Sequence, residues 1–145
     1  MYVIRYFREE DIASVMSIVM DTLNEFYESS LYITLHNLWK EGIIVAESGG
    51  EIVGFILGVA SAPKEARILI LAVIENHRKK GMGGALLKAF IAECYTKDLK
   101  IINLEVKVEN EDAIRFYTRY GFANIKTLID YYAEGKNAYH MQRVL

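Results

Sequence analysis

The sequence predicts an α+β fold in which mixed layers of helices and strands share one hydrophobic core. Apolar residues recur every three or four positions in four segments, a spacing typical of amphipathic helices. The segments between them alternate apolar and polar residues or are apolar throughout, which is typical of strands. The chain has 145 residues, of which 52% are hydrophobic and 25% charged. This length and composition fit one globular domain, residues 1–145.

Charge and cysteine content exclude several classes of protein. The chain has 17 Lys and Arg against 19 Asp and Glu, and the net charge of −2 lacks the basic excess of a nucleic-acid-binding protein. No apolar run approaches the roughly 20 residues of a membrane-spanning helix. The single cysteine, Cys94, forms no internal disulfide, and the sequence shows neither a metal-binding Cys/His pattern nor a secretory leader. We expect a cytoplasmic monomer or weak homodimer that needs no metal, nucleic acid or membrane.

The first third of the chain predicts a short strand at 2–6 and two helices. The first helix follows the acidic residues 9–11, which favour a helix N-terminus. The second begins at Ser29 or Ser30, a suitable N-cap, and ends at Gly42. The apolar faces are expected to consist of Ile12, Val15, Met16, Val19, Leu23 and Phe26 in the first helix, and of Leu31, Leu35, Leu38 and Trp39 in the second.

The middle of the chain predicts three strands. Segments 42–48 and 51–60 flank Gly49 and Gly50, whose tolerance of positive φ suits a two-residue hairpin turn, so the two strands are antiparallel. Segment 67–74 is apolar after its first residue, which predicts a strand covered on both faces.

The remainder predicts a helix, a strand, a helix and two strands. The helix from Gly81 has an apolar stripe, and in the following strand, 102–109, the polar residues share one face that includes Glu105. Asn110 is a good N-cap for the next helix, which Gly121 ends. The two final strands are predicted at 123–132 and 137–144.

A basic, glycine-rich turn precedes the third helix. It consists of Arg78, Lys79, Lys80, Gly81, Met82, Gly83, Gly84 and Ala85. Glycines let a backbone approach a ligand closely, and the N–H groups of a helix N-terminus attract anions, so the turn suits a diphosphate. The alternative is a tight connection with solvated bases. A P-loop is excluded because Gly83-Gly84-Ala85 lacks the necessary lysine and hydroxyl, and Leu86 disfavours a dinucleotide-binding fingerprint.

Two motifs together resemble the GNAT acetyltransferases. Arg78-x-x-Gly81-x-Gly83 resembles their Arg/Gln-x-x-Gly-x-Gly/Ala motif, and segment 103–122 resembles their second signature. Within this superfamily the chain is most similar to the RimI/Ard1 branch of protein N-terminal acetyltransferases, through Leu104-Glu105-Val106, Asn110, Phe116-Tyr117, Gly121-Phe122 and Tyr131-Tyr132. The resemblance covers nearly the whole chain. It implies a mostly antiparallel, V-shaped sheet flanked by about four helices, with acetyl-CoA between the splayed fourth and fifth strands.

The resemblance also implies which residues hold the cofactor. The turn residues from Arg78 to Ala85 would bind its diphosphate. The backbone of Leu71, Ala72 and Val73 would pair with the pantetheine arm as a pseudo-strand. Asn110, besides capping its helix, would touch the same arm, and the helix residues Ala113, Phe116 and Tyr117 complete the expected cofactor site.

Two residues are candidates for the chemistry of acetyl transfer. An α-amino group is roughly 10% neutral at pH 7 and a lysine only about 0.04%, so a glutamate acting through water can suffice as base for an α-amine. The resemblance gives this role to Glu105; the alternative is an exposed sheet glutamate. It gives the role of general acid, protonating the departing CoA thiolate, to Tyr117; the alternative is core packing.

The resemblance places the acceptor near two aromatic segments. Tyr131 and Tyr132 would line the peptide entrance, unless they are ordinary strand aromatics. Segment 23–27 is similar to the Leu-Pro-Glu-Asn-Tyr motif of Ard1 enzymes but has Asn24 and Phe26 where that motif has proline and asparagine. Glu25, Phe26 and Tyr27 are therefore candidate acceptor residues, with a solvated helix-end charge as the alternative for Glu25.

Four other residues are assigned no catalysis. His77 is expected to be a loop histidine, and His36 and His140 lack a paired acid at motif spacing. Cys94 falls on the buried stripe of its helix, which disfavours a covalent acetyl-cysteine route and favours direct transfer.

The leading functional hypothesis is acetyl-CoA-dependent acetylation of the α-amino group of a protein or peptide N-terminus, with a ribosomal protein among the candidate acceptors and CoA as product. The alternatives are acetylation of lysine or a small amine, a non-catalytic acyl-CoA-binding module, and nucleotide binding by the basic turn.

Overall fold

The computed structural model describes residues Met1–Leu145 and contains one seven-stranded sheet with four α-helices. The elements in chain order are β1 (Tyr2–Tyr6), α1 (Ile12–Leu23), α2 (Ser29–Leu38), β2 (Ile43–Ser48), β3 (Glu51–Ala62), β4 (Glu65–Val73), α3 (Met82–Thr96), β5 (Ile101–Lys107), α4 (Glu111–Arg119), β6 (Ala123–Tyr132) and β7 (Lys136–Val144). This architecture confirms the predicted fold class. No helix has the length and apolar character that crossing a membrane requires.

The strand order is β1-β2-β3-β4-β5-β7-β6, and every neighbouring pair is antiparallel except β4 with β5. That parallel pairing joins only Glu65–Arg67 to Ile101–Asn103. After Arg67 the two strands form no further ladder bonds with each other. The sheet therefore opens between its fourth and fifth strands, as predicted, and leaves backbone groups of both strands available to a ligand.

The core has two parts because the sheet is covered on both faces. On one face α3 packs Leu86, Phe90 and Cys94 into a cluster of 19 buried residues that includes Ile56 of β3. On the other face α1 and α2 contribute to a cluster of 10 that includes Phe55, the neighbour of Ile56 in β3. Successive residues of a strand point to opposite faces, so this single strand supplies both parts of the core.

Local structure follows the predicted caps and turns at two positions. Gly49 and Gly50, with φ of 59° and 82°, form the turn between β2 and β3. The side-chain oxygen of Asn110 accepts a hydrogen bond from the Ala113 N–H at 3.1 Å, which fixes the start of α4. Helix α3 and the strands β6 and β7 also lie where the sequence predicts them.

The predicted core face of α2 is wrong. Leu31 is 38% and Leu38 74% exposed, whereas Tyr32 is fully buried. The helix presents the side that carries Tyr32 to the sheet. Of the predicted residues, Trp39, just beyond the helix, is buried, and Leu35 is partly buried against the core. The predicted serine cap is also wrong, because Glu28 occupies the N-cap position and no side chain caps the helix.

Two smaller predictions also fail. Helix α1 ends at Leu23 because Asn24 adopts a left-handed conformation with φ of 53°, so Phe26 lies outside the helix and is 59% exposed. Strand β4 is not covered on both faces, since Leu69 is 48% exposed where β4 separates from β5.

A buried ion pair ties β1 to the start of α1. The carboxylate of Asp11 accepts bonds from Arg5 Nη1 at 2.8 Å, Arg5 Nη2 at 3.0 Å and the backbone N–H of Arg8 at 2.8 Å. Burial by itself would raise the pKa of Asp11, but these hydrogen bonds outweigh it and hold the pKa below its ordinary value.

Candidate active site

A cleft of about 660 Å³ lies where β4 and β5 separate. Its walls come from both strands, the start of α4, the end of β6 and the segment after α1. Among the predicted site residues, the cleft brings together Glu25, Tyr27, Leu71, Glu105, Asn110, Ala113, Tyr117 and Tyr132. The other predicted residues lie outside its lining: Phe26, Ala72, Val73, Phe116, Tyr131 and the turn 78–85.

Glu105 is held on β5 by two basic side chains. Its Oε2 accepts a hydrogen bond from Arg67 of β4 and lies 2.8 Å from Nδ1 of His140 on β7. Burial of this carboxylate, whose side chain is only 10% exposed, acts to raise its pKa, but the bonds from Arg67 and His140 prevail and lower it. Glu105 is therefore an anion at neutral pH, and the alternative of an exposed sheet glutamate is excluded.

Tyr117 keeps its phenolic proton far above neutral pH. Its ring packs edge-on against Phe116 and Phe122, with centroids 5.2 Å and 5.5 Å away. Burial, with a smaller contribution from Tyr132, raises its pKa well above the usual range for a tyrosine. Such a phenol can donate a hydrogen bond or a proton into the cleft that it lines. Core packing and a role in the cleft are thus compatible for this residue.

The glycine-rich turn lies at the N-terminus of α3. Gly81 is the N-cap residue with φ of 79°, and a side chain there would meet nothing within 4 Å, so the space in front of the helix is open. The first intrahelical bond runs from Ala85 N–H to Gly81 C=O, which leaves the N–H groups of Met82, Gly83 and Gly84 without helical partners. Three donors therefore converge on open space, as an anion site requires.

The side chains of this turn have different surroundings. Met82 is 2% exposed and belongs to the core, so only its backbone is available to a ligand. A Cβ on Gly84 would lie 2.1 Å from the Tyr120 hydroxyl, so this glycine also permits α3 and α4 to pack closely. Arg78 donates to the Val73 carbonyl at 2.8 Å and thereby ties the turn to the end of β4. Lys79 and Lys80 are exposed.

The wall of the cleft formed by the segment after α1 and the end of β6 is aromatic and acidic. The Tyr27 hydroxyl donates to Glu25 at 2.5 Å, and this bond raises the pKa of Tyr27 to about 12. Tyr131 and Tyr132 meet edge-on with centroids 5.0 Å apart, but only Tyr132 lines the cleft and Tyr131 is 50% exposed. Burial and, to a lesser extent, the charge of Glu105 raise the pKa of Tyr131.

The sequence has no acid at motif spacing from His140, but the fold pairs this histidine with Glu105. The antiparallel pairing of β5 with β7 sets His140 directly opposite Glu105, and Gln142 directly opposite Asn103. The sequence reasoning also missed Arg67, which reaches Glu105 from β4. The sequence does contain a pattern that predicts this pairing, because polar residues alternate with apolar ones in both β5 and β7. An antiparallel alignment of the two strands sets Glu105 opposite His140.

The sequence from residue 12 to residue 122 matches the acetyltransferase (GNAT) family. The chain belongs to this family. An N-alpha-acetyltransferase from Sulfurisphaera tokodaii is 32% identical to it over 97% of this chain and 91% of that protein. Both matches confirm the predicted resemblance, the predicted enzyme class and the predicted N-alpha-acetyltransferase function.

Two solved structures share the complete fold. Ard1 from Thermoplasma volcanium superimposes with a TM-score of 0.93 and is 41% identical, covering 99% of this chain and 97% of its own. The NatC complex bound to Gag peptide and CoA contains a chain with a TM-score of 0.91 and 26% identity, covering 99% of this chain and 98% of its own. The GNAT family uses acetyl-CoA, and the NatC structure contains bound CoA.

Proposed function

We propose that this chain transfers the acetyl group of acetyl-CoA directly to the α-amino group of a protein or peptide N-terminus, with Glu105 and Tyr117 as its catalytic groups. The observation that carries the proposal is their convergence: a carboxylate and a protonated phenol line the same cleft, at the point where β4 and β5 leave their backbone unpaired. The kinship with N-alpha-acetyltransferases supports the choice of acceptor.

The residues present fit acetyl-CoA. The edge of β4 that faces the opening can pair with the amide groups of the pantetheine arm as a neighbouring strand would, through the backbone of Leu71, Ala72 and Val73 except the Val73 carbonyl, which already accepts from Arg78. The three free N–H groups at the start of α3, together with Arg78, Lys79 and Lys80, can hold the diphosphate. Asn110 and Ala113 line the cleft, and Phe116 packs against the larger part of the core. The bound cofactor supplies the activated thioester.

The cleft offers the acceptor amine the carboxylate of Glu105. Glu105 can hold the incoming α-amino group through a water molecule and stabilise the positive charge that grows on the nitrogen as it attacks. Glu25, Tyr27 and Tyr132 line the same cleft and can hold the peptide behind that amine, with Tyr131 at its rim. Phe26, which lies outside the lining, would contact only later residues of the peptide.

Tyr117 completes the transfer at the sulfur. The phenol would donate its proton to the departing sulfur, and the phenolate would regain a proton from the one that the acetylated nitrogen releases into the cleft. A covalent acetyl-cysteine has no support, because Cys94 is buried and burial raises the pKa of its thiol to about 12.

The test compares acceptors by mass spectrometry after incubation with acetyl-CoA. One peptide has a free N-terminus and no lysine; its matched control has a blocked N-terminus and one internal lysine; a polyamine is the third acceptor. We expect an added acetyl group on the first peptide only. Acetylation of the lysine peptide or the polyamine alone would overturn the proposed acceptor, and tight CoA binding without any turnover would overturn the enzymatic proposal.

Competition calorimetry tests the cofactor separately. Acetyl-CoA should bind far more tightly than ATP, because ATP has no pantetheine arm whose amide groups could pair with the open edge of β4. Comparable affinity for both would favour nucleotide binding by the basic turn. A ribosomal protein as acceptor, the cytoplasmic location and the monomeric or weakly dimeric state stay predictions.

A further inference from the structure

A chain of polar side chains runs behind Glu105, away from the cleft. Asn103 Nδ2 donates to Glu65 Oε1 at 2.9 Å, and Asn103 Oδ1 lies 3.0 Å from Nε2 of Gln142 and 3.0 Å from Nε2 of His140. Asn103 is only 3% exposed, so water does not compete for these bonds. The core therefore contains a connected path from Glu65 to Glu105.

The path has a fixed direction. A carboxylate can only accept, so the Asn103 amide turns its NH₂ to Glu65 and its oxygen to the other two side chains. That oxygen has two lone pairs, of which one receives the Gln142 amide and the other receives His140 Nε2. Nε2 of His140 consequently carries a proton whatever the charge of the ring.

The other ring nitrogen faces the carboxylate. With Nε2 protonated, a neutral His140 presents the lone pair of Nδ1 to Glu105 Oε2 at 2.8 Å, an unfavourable contact between two acceptors. One added proton converts that contact into a hydrogen bond within an ion pair. At this distance the proton lies between Nδ1 and Oε2, so the two side chains hold it together.

We propose that His140 is a positioning residue that shares one proton with Glu105, so that the pair and not the carboxylate alone receives a proton from the acceptor. This rests on the proposed function of the cleft. The step is a proton transfer: an N–H bond of the acceptor's ammonium breaks, an Nδ1–H bond forms through the carboxylate and a water molecule, and the acceptor nitrogen keeps its electron pair. The pair returns this proton to solvent before the next turnover.

Charged groups from every neighbouring strand act on the pair. Arg67 on β4 contacts the carboxylate, and Lys126 on β6 stands opposite His140; both cations favour release of the shared proton. Glu65 acts in the other direction through Asn103. Tyr131 of β6, whose pKa is raised by burial and by the charge of Glu105, keeps its own proton. The cations next to the pair thus oppose permanent protonation and let it return to the accepting state.

Two substitutions of His140 distinguish a histidine that shares a proton with Glu105 from one that only holds the carboxylate in place by a hydrogen bond. His140→Asn places an amide N–H near the position of Nδ1, so it can keep the hydrogen bond to Glu105 but cannot take up a proton. His140→Leu removes both properties. We expect His140→Asn to keep the KM for peptide and to lose roughly 100-fold in kcat, the lower end of what a proton-transfer group contributes. The acid side of its pH–rate profile should also lose the contribution of the pair and keep that of the acceptor amine. A wild-type kcat and profile in His140→Asn would overturn the proposal.

Nitrogen NMR of the histidine side chains gives a readout independent of turnover. The His140 signals are identified by their absence from His140→Asn, which leaves those of His36 and His77. Nε2 should stay protonated throughout, while Nδ1 gains its proton over the pH range in which the rate falls. An Nδ1–H tautomer with unprotonated Nε2 would overturn the proposal. If no α-amine is acetylated at all, the proposed function fails, yet the spectra still decide whether the proton is shared.

Discussion

Removing the charge of Glu105 is the most direct perturbation of this site. Glu105→Gln preserves the shape of the side chain but replaces an anion that binds two basic groups by a neutral amide. Arg67 then loses its counter-charge, and His140 loses its carboxylate partner, in a pocket where the glutamate side chain is 10% exposed. Stability and catalysis should both respond.

The size of each effect follows from the contacts. A hydrogen bond to a charged group contributes about 1.5–3 kcal/mol, and Arg67 is 30% exposed, so solvent screens part of its loss. We expect the free energy of unfolding to fall by roughly 2 kcal/mol. A catalytic acid–base group typically contributes a factor of about 10²–10⁴, so kcat/KM should fall by at least about 100-fold.

The assay measures kcat/KM for one N-terminal peptide across a range of pH, beside denaturant unfolding. The matched control is Glu47→Gln: Glu47 lies on β2, accepts bonds from Arg5 at 3.0 Å and 3.2 Å, and does not line the cleft. It should lower stability modestly and leave kcat/KM unchanged. If Glu105→Gln keeps the wild-type kcat/KM at every pH, or if both variants lose activity in proportion to stability, the catalytic assignment of Glu105 is wrong.

Three further outcomes are expected. Lys80→Glu should raise the KM for acetyl-CoA about tenfold, equivalent to about 1.4 kcal/mol, while Lys40→Glu, at another exposed lysine, should leave it unchanged. Equal effects of the two substitutions would show that the turn is not part of the cofactor site. Gly58→Ala sets a methyl group 2.2 Å from the Phe90 ring and should cost about 2–3 kcal/mol in calorimetry, a loss that pairing it with Phe90→Leu should largely reverse. Asp11, whose folded pKa is lowered, stabilises the fold above its unfolded pKa near 4, and this stabilisation disappears as pH falls through the folded value. Asp11→Asn should therefore flatten the acid side of stability measured against pH, and an unchanged curve would contradict the lowered pKa.

The sequence predicts best those features that depend on neighbouring residues. The turn at Gly49 and Gly50, the cap at Asn110 and the buried stripe of α3 each follow from a few adjacent positions, and the structure contains all three. The family resemblance added the opening between β4 and β5, which no local pattern specifies because it depends on where a parallel pairing stops.

The features that the sequence did not predict depend on distant contacts. His140 and Glu105 are 35 positions apart, and only the register of β5 against β7 brings them together. The prediction of the buried face of α2 failed for a related reason. Its apolar residues are distributed around the helix, so packing against the sheet buries Tyr32 and leaves Leu31 and Leu38 exposed. Local patterning cannot rank such alternatives when more than one face is apolar.

The short pairing of β4 with β5 has a mechanical consequence. It is the one strand contact that joins the two halves of the sheet, and two side-chain bonds brace it: Asn103 to Glu65 and Arg67 to Glu105. The Glu105 carboxylate, which is assigned to the reaction, thus also links β4 and β5 at the point where the two strands separate. A movement that separates the two halves of the sheet, to admit a thicker ligand or to release one, must stretch the bond between Arg67 and Glu105. The width of the opening and the position of the Glu105 carboxylate therefore change together.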